Sequence, residues 1–444
     1  MWEPMWEPRR EGTMPKKRSP GDGGLYRSKS RNLWRAVIDV GTWPDGRRRQ
    51  KEVTSRTQQG ARDKIAILRK EIAEHGTTLD RATTVADWSA HWLTTVCQPN
   101  LKPNALAAYE SITRVWIVPT LGKKTVHSLK PSDVRLVIDR IAKAGRSSST
   151  GLKAYNILSG MLESARLDGL CARNAAVDVT TPTAAISKRG ALDTESVLAV
   201  LRAAAVEADG TRWWVALLAG LRQSERLGAR IDSLDFTTNT LTVEWALEEI
   251  TSEHGCGENV AGAWPCGKKR GGSCSHRKLK IPDGFDHIPM YGRLCLIRPK
   301  SGRARSVPLI PALAEALQRY LVATADRPNP HGLIWRHENG TPFLPGEDEQ
   351  AWRDVLHSAG LITTEQTKEP KDRTAGTPDI PTSHWARHTT STVLMELGVD
   401  AKIIGEIVGH VSASTTRGYQ HVSTPMARDA MDKLGGHFAA ALEG

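Results

Sequence analysis

The feature that most constrains this chain is a change in its hydrophobic period. Between residues 25 and 55 the apolar residues fall in short runs, Leu25-Tyr26-Arg27, Asn32 to Val40 and Arg48 to Ser55, separated by turn-formers such as Pro44-Asp45-Gly46. That pattern predicts three short strands. From residue 58 the spacing becomes helical: Ala61, Ile65, Leu68 and Ile72 share one face of a helix expected over residues 58–75. The helical period persists for another hundred residues, with helices expected over 85–96, 104–118 (closed by Pro119), 131–144 and 149–167. Trp88, Trp92 and Trp116 lie on the apolar stripes of this region and are expected in its core. After a second linker at 180–189 the periods mix. Helices are expected near 193–208 and 211–219, strands near 240–245, 293–297 and 306–310, and helices again to the C-terminus. A chain of 444 residues organised this way is expected to be multidomain.

Several function classes drop out. The longest apolar run, Trp213 to Leu221, is nine residues, against the ~20 needed to span a bilayer. The first residues, MWEPMWEPRREG, contain no apolar signal region, although Met14 is an alternative start. Six cysteines are too sparse for a disulfide scaffold, and three of them cluster with histidines, which suits a reducing cytosol. Charge is more telling. Residues 12–70 hold 16 Lys and Arg against 5 Asp and Glu, nearly the whole excess of a chain whose net charge is +12. A positive field so concentrated points to a polyanion, nucleic acid being the commonest. Residues 1–20 are expected to be a disordered basic tail.

Four motifs in the last 250 residues carry chemistry only when taken together. Gly220-Leu221-Arg222-Gln223-Ser224-Glu225 places an arginine in a tight turn just past a buried helix. Pro299-Lys300-Ser301-Gly302-Arg303, followed by Ser306-Val307-Pro308-Leu309, reads as a hairpin with a lysine at its mouth. His384-Trp385-Ala386-Arg387 puts a histidine and an arginine on one helix face, and Val408-Gly409-His410 is followed nine residues later by Tyr419. In this order they resemble the tyrosine recombinase (phage integrase) family. The resemblance reaches back to Val118-Pro119-Thr120-Leu121-Gly122 and Leu129-Lys130-Pro131-Ser132-Asp133-Val134, which look like that family's core-binding domain. The basic N-terminal module resembles the arm-type DNA-binding domain of longer integrases.

The resemblance implies a fold and a mechanism. The fold is a small three-stranded sheet plus helix (21–76), an all-α, SAM-like core-binding domain (82–180) and a mainly α-helical α+β catalytic domain (188–437). The activity implied is site-specific DNA recombination that integrates and excises a phage or mobile element. Attack on a phosphodiester builds charge on its non-bridging oxygens, which planar guanidiniums match bidentately, so Arg222 and Arg387 are the expected clamp. Tyr419 is the expected nucleophile, giving a 3′-phosphotyrosine and a free 5′-hydroxyl. Lys300 matches the general acid, His384 assists proton transfer and His410 contacts the scissile phosphate. A bland alternative for Arg222 is a salt bridge to Glu225 within the turn. His388 and His421 compete for proton-transfer roles. No cofactor is required for the catalysis implied. The partners implied are double-stranded DNA at attachment core and arm sites, three further copies of the chain in a tetramer, and a host bending protein or excisionase. The place of action implied is the bacterial cytoplasm, at the nucleoid. Rival readings are an inactive DNA-binding regulator descended from an integrase and a topoisomerase-like nicking-closing enzyme.

One segment departs from the family pattern. An insertion at 248–292 carries His254, Cys256, Cys266, Cys274, His276 and His287. Thiolates with imidazole suit a tetrahedral structural zinc, and Cys256, Cys266, Cys274 and His276 are the expected ligands. The competing expectation is a basic loop, with six Lys and Arg between Lys268 and Lys280, that touches DNA phosphates without any metal. Gly262 to Lys269 nearly fits a nucleotide P-loop, but Lys269 stands where Ser or Thr should hold magnesium and no buried strand precedes it, so ATP binding is rejected.

Overall fold

The alternating run near the N-terminus folds as three antiparallel strands in chain order, β1 (Leu25–Ser28), β2 (Leu33–Thr42) and β3 (Arg48–Ser55). Helix α1 (Gln58–His75) covers one face, with Ala61, Ile65 and Leu68 buried against Ala36, Ile38 and Val40. This computed structural model describes residues 25–28, 32–42, 48–75, 82–183, 190–260, 262–368, 380–409 and 424–439. The expected tail at 1–20 and the linker at 76–81 lie outside the described residues. The chain divides into two compact units, one of residues 1–96 with 109–183 and one of residues 97–108 with 184–444.

The helical region is built on α2 (Val85–Trp92), α3 (Pro103–Ile112), α4 (Pro131–Lys143) and α5 (Ser148–Leu167). Trp88 and Trp92 are core, as their spacing predicts, and their indole N–H groups donate to the Met161 carbonyl and the Ser164 hydroxyl of α5, both at 3.0 Å. Trp116 is only half-buried. Pro119 does not close its helix. A wide turn over Thr113–Ile117, in which the Val118 N–H reaches the Thr113 carbonyl, precedes a further helical turn, Val118–Leu121, with Pro119 in its first positions. Widening the ladder there removes the demand for the N–H that proline lacks.

The second unit is organised around α6 (Thr194–Ala205) and α7 (Thr211–Leu218), whose residues Arg212 to Leu218 are all buried. Each large apolar side chain enclosed here contributes ~1.5–3 kcal/mol. Helix α7 is the hub of a core that includes Trp335, Trp352, Leu356 and Leu394. Around it lie α8 (Gln223–Leu227), α9 (Pro311–Ala323), α10 (Pro345–Ser358), α11 (Ser383–Glu396), α12 (Ala401–Val408) and α13 (Thr424–His437).

The strands of this unit are β4 (Leu234–Asp235), β5 (Thr240–Val243), β6 (Ala246–Glu249), β7 (Ser252–Glu253), β8 (Lys278–Leu279), β9 (His287–Tyr291), β10 (Leu294–Ile297) and β11 (Arg305–Pro308). The expected lysine hairpin takes a different form. Strands β10 and β11 do not pair with each other: Ile297 faces Ala246 of β6, whereas Arg305 faces Val243 of β5. Both arms therefore pair with one stretch, residues 240–249, and residues 298–304 leave the ladder as an excursion that carries Lys300. No helix among the described residues is long and apolar enough to cross a membrane.

Candidate active site

Helix α7 ends at Leu218 and is capped by Ala219, and Gly220 then turns the chain with φ +63°. A side chain there would meet the Val408 methyl at 2.9 Å as well as adopt a strained backbone, so glycine is required. The turn delivers Arg222 to the cap of α8. Glu225, three residues on, accepts the Arg222 backbone N–H at 3.1 Å and its Nη1 at 2.5 Å. The salt bridge weighed from sequence is therefore present, but it uses one edge of the guanidinium. Nη2 donates to the Gly409 carbonyl at 2.6 Å, at the left-handed cap of α12 that immediately precedes residue 410.

Glu225 is 1% exposed and serves a second arginine. Arg305 of β11 donates to both carboxylate oxygens, at 3.1 and 2.7 Å, while its Nε donates to the Ile407 carbonyl. Burial pushes the Glu225 carboxyl up, but Arg305 and Arg222 outweigh it and hold the group below the usual carboxylate range. Residues 222, 225 and 305 thus fix the end of α12 together. Sequence reasoning did not reveal Arg305, because eighty residues separate it from its carboxylate.

Helix α11 brings the third guanidinium. Its first turn is anchored to α10 by the Ser383 hydroxyl, which donates to Glu349 at 2.7 Å, and its middle by the Thr390 hydroxyl, which donates to the Leu217 carbonyl of α7 at 2.7 Å. His384 stands exposed in the first turn, edge-on to His388 at 4.8 Å. Arg387 is 1% exposed and donates one hydrogen bond, from Nη1 to the Gly220 carbonyl at 2.9 Å. Its Nε and Nη2 are buried with no partner among the described residues. Burial, reinforced by the neighbouring Arg222 charge, pulls this guanidinium down to about 9. Unpaired buried donors cost ~1–3 kcal/mol each, more for a charged group, so an anion that reached them would recover that energy. A cavity of about 340 Å³ opens beside the cluster, lined by Arg222, Gln223, Ser224, Glu349, Thr382, Ser383 and His384.

Lys300 is exposed on its excursion, in a turn closed by the Gly302 N–H to the Pro299 carbonyl at 2.8 Å. A residue that sequence reasoning missed supports this turn. Lys102 donates to the carbonyls of Arg298 and Pro299 at 3.0 and 2.8 Å, and burial holds its own amine below the ordinary lysine value. His410 and Tyr419, with His421, lie outside the described residues. The structure thus brings together Arg222, Arg387 and His384, and places Lys300 on a braced surface turn.

The insertion corrects one expected ligand. His254, Cys256, Cys266 and Cys274 have ligand atoms all within 4.8 Å of one another, and His276 is not among them. The reason is local: Gly255 packs so tightly on the backbone of residue 276 that an added Cβ would sit 2.1 Å from the His276 carbonyl oxygen. That backbone contact leaves the His276 side chain exposed, where its Nδ1 meets the Ser275 hydroxyl.

Comparison with known proteins bears on the family and the fold. Residues 283–425 match the phage integrase family and residues 84–141 match the phage integrase N-terminal SAM-like domain. An integrase of Saccharopolyspora erythraea is 22% identical, over 91% of this chain and 94% of that protein. Among solved structures, a Tn1549 transposon integrase in complex with transposon right end DNA superposes with a TM-score of 0.55 at 20% identity, covering 80% of this chain and all of that one. A lambda integrase tetramer bound to a Holliday junction gives 0.51 at 13% identity, covering 92% of this chain and 99% of that one. At such identities the structural likeness establishes the fold.

Proposed function

We propose, from the premise that this chain belongs to the phage integrase family of tyrosine recombinases, that it is a site-specific DNA recombinase acting on the attachment sites of a phage or other mobile element. Arg222 and Arg387 bind the non-bridging oxygens of the scissile phosphate. The Tyr419 hydroxyl attacks phosphorus, its proton passing toward His384, while the bond to the 5′-oxygen breaks and Lys300 protonates that departing oxygen to give the free 5′-hydroxyl. His410 orients the phosphate. The product is a 3′-phosphotyrosine, which conserves the energy of the broken bond and lets a 5′-hydroxyl from a partner duplex reverse the step. No nucleotide or metal enters this chemistry, and zinc in the insertion is structural.

What supports this reading most is Arg387, a buried guanidinium with two unpaired donors and no ion pair among the described residues, beside a second guanidinium already held in place. The working unit is a tetramer on two duplexes in the bacterial cytoplasm, at the nucleoid. Residues 21–76 read arm sites, 82–180 grip the core site and 188–437 carry the chemistry. The test is strand transfer between two differently labelled duplexes containing the element's own attachment sites. A recombinase joins strands across the two labels. Cleavage and resealing without exchange would make the protein a topoisomerase-like enzyme, and binding without cleavage would make it a regulator.

A further inference from the structure

We infer that the insertion is closed by one zinc ion held by His254, Cys256, Cys266 and Cys274, and that this ion splints the strand leading to Lys300. The splinting role rests on the recombinase reading, whereas the metal site stands independently of it. Four-coordinate zinc with thiolate and imidazole bonds of ~2.3 and ~2.0 Å requires ligand atoms roughly 3.5–4 Å apart. His254 Nδ1 lies 3.3 Å from Cys266 Sγ and 3.9 Å from Cys256 Sγ, and all four ligand atoms fall within 4.8 Å of one another. None of the cysteines is in a disulfide, and Cys274 is fully buried.

The histidine shows that the cluster is not a chance gathering of thiols. Its ring is held by stacking on Trp264 at 4.2 Å with the planes 8° apart. An imidazole so held, with its Nδ1 aimed among three sulfurs, is the arrangement of a ligand. A closed set of three soft sulfurs and one nitrogen selects zinc and leaves no open position for catalysis.

The insertion needs such a closure. Its strands β7 and β8 are two residues each, and the buried apolar cluster under it is Ile250 with Cys295 and Ile297 of β10, edged by Leu279, Ile281 and Phe285. So small a core rarely holds a segment without a metal or disulfide. Two of its three buried members, Cys295 and Ile297, belong to β10, and Lys300 follows Ile297 by three residues. Closing the insertion therefore fixes one side of the strand from which the lysine excursion starts.

The experiment is zinc content of the full-length protein, purified under reducing conditions, for the wild type and the His254→Ala, Cys274→Ser and His276→Ala variants. One zinc per chain is expected in the wild type and in His276→Ala, with zinc falling to background in the other two. A zinc-free wild type, or loss in His276→Ala with retention in His254→Ala, would overturn the site. Because a ligand variant can misfold, cobalt(II) is also exchanged into the wild type, where the visible bands of tetrahedral thiolate-bound cobalt are expected and octahedral bands would refute the ligand set. For the splint, the chelator-stripped wild type is expected to cleave ordinary attachment-site DNA ~10²-fold more slowly, the scale of a lost general acid. Cleavage should recover on DNA with a 5′-bridging sulfur, whose thiolate leaves without a proton. Equal loss on both substrates, or no loss on either, would refute the splint. A protein that binds zinc but never cleaves DNA would refute the recombinase reading and leave the metal site standing.

Discussion

The catalytic unit buries two clusters of arginines around a single carboxylate, and they are built to opposite ends. In one, Asp348 of α10 is fully buried and accepts from Arg226 at 2.6 Å and Gln223 at 2.9 Å, with Arg212 at 3.4 Å. The remaining surface of those guanidiniums lies over aromatic rings: Arg212 over Trp213 and Phe343, both at 4.5 Å, and Arg226 over Trp213 at 4.7 Å. In the other, Glu225 is shared by Arg222 and Arg305, and Arg387 beside them has, among the described residues, only a backbone carbonyl. The contrast teaches that burial and charge alone do not mark a site. Among the described residues Arg212 and Arg226 also leave two buried donors each without a hydrogen-bond partner. What sets them apart is the carboxylate and the ring faces that balance and cover their charge, whereas Arg387 has no ion pair among those residues and lies beside Arg222, which lines the cavity. The sealed cluster also serves the open one. Gln223 and Arg226 lie on α8, whose cap is Arg222, so Asp348 holds the helix that presents Arg222.

Three substitutions would break or sharpen this comparison. Arg387→Ala is expected to lower the rate of DNA cleavage by ~10²–10³-fold, the scale of one lost transition-state donor, with the melting temperature nearly unchanged. A matching fall in Tm would mean that Arg387 is structural, like Arg226. Asp348→Ala is expected to do the reverse. Leaving two guanidiniums buried without their carboxylate costs ~3–5 kcal/mol of stability, read by urea unfolding, while cleavage per folded molecule falls far less. Glu225→Gln should fall between them, with a smaller loss in both assays and a distinctive pH dependence. The Glu225 carboxyl is held below its ordinary value, so its contribution is complete above ~4.3, the unfolded value, and is lost as pH falls through the folded value. The stability gap between wild type and Glu225→Gln should therefore close in acid. A gap that widened as pH fell would contradict the ion pairs.

Much of this was legible in the sequence where local signals decide structure. The helical stripe at Ala61, Ile65 and Leu68 and the short apolar runs before it announced the N-terminal sheet and helix, whereas the turn expected at Pro44-Asp45-Gly46 lies outside the described residues. The order of Arg222, Lys300, His384, Arg387, His410 and Tyr419 carries the family resemblance from which the chemistry is proposed. What the sequence concealed depends on contacts between distant segments. Pro119 reads as a helix stop because a wide turn that absorbs its missing N–H leaves no composition signal. The lysine turn reads as a simple hairpin because nothing local shows that both arms pair with residues 240–249. His254-Gly255-Cys256 and Cys274-Ser275-His276 are mirror-image spacings, and only the close approach at Gly255 decides which histidine turns inward. Arg305, Asp348 and Lys102 act on partners 80 to nearly 200 residues away.

The most direct measurement of the central claim is a covalent-adduct assay on DNA carrying the element's attachment site, with wild type and Tyr419→Phe compared without added divalent metal. The account predicts an SDS-resistant protein–DNA band for the wild type, linked through a 3′-phosphate, and none for Tyr419→Phe. An adduct that persists in Tyr419→Phe would contradict the assignment of the nucleophile and, with it, the reading of the arginine cluster as the clamp for that tyrosine's attack.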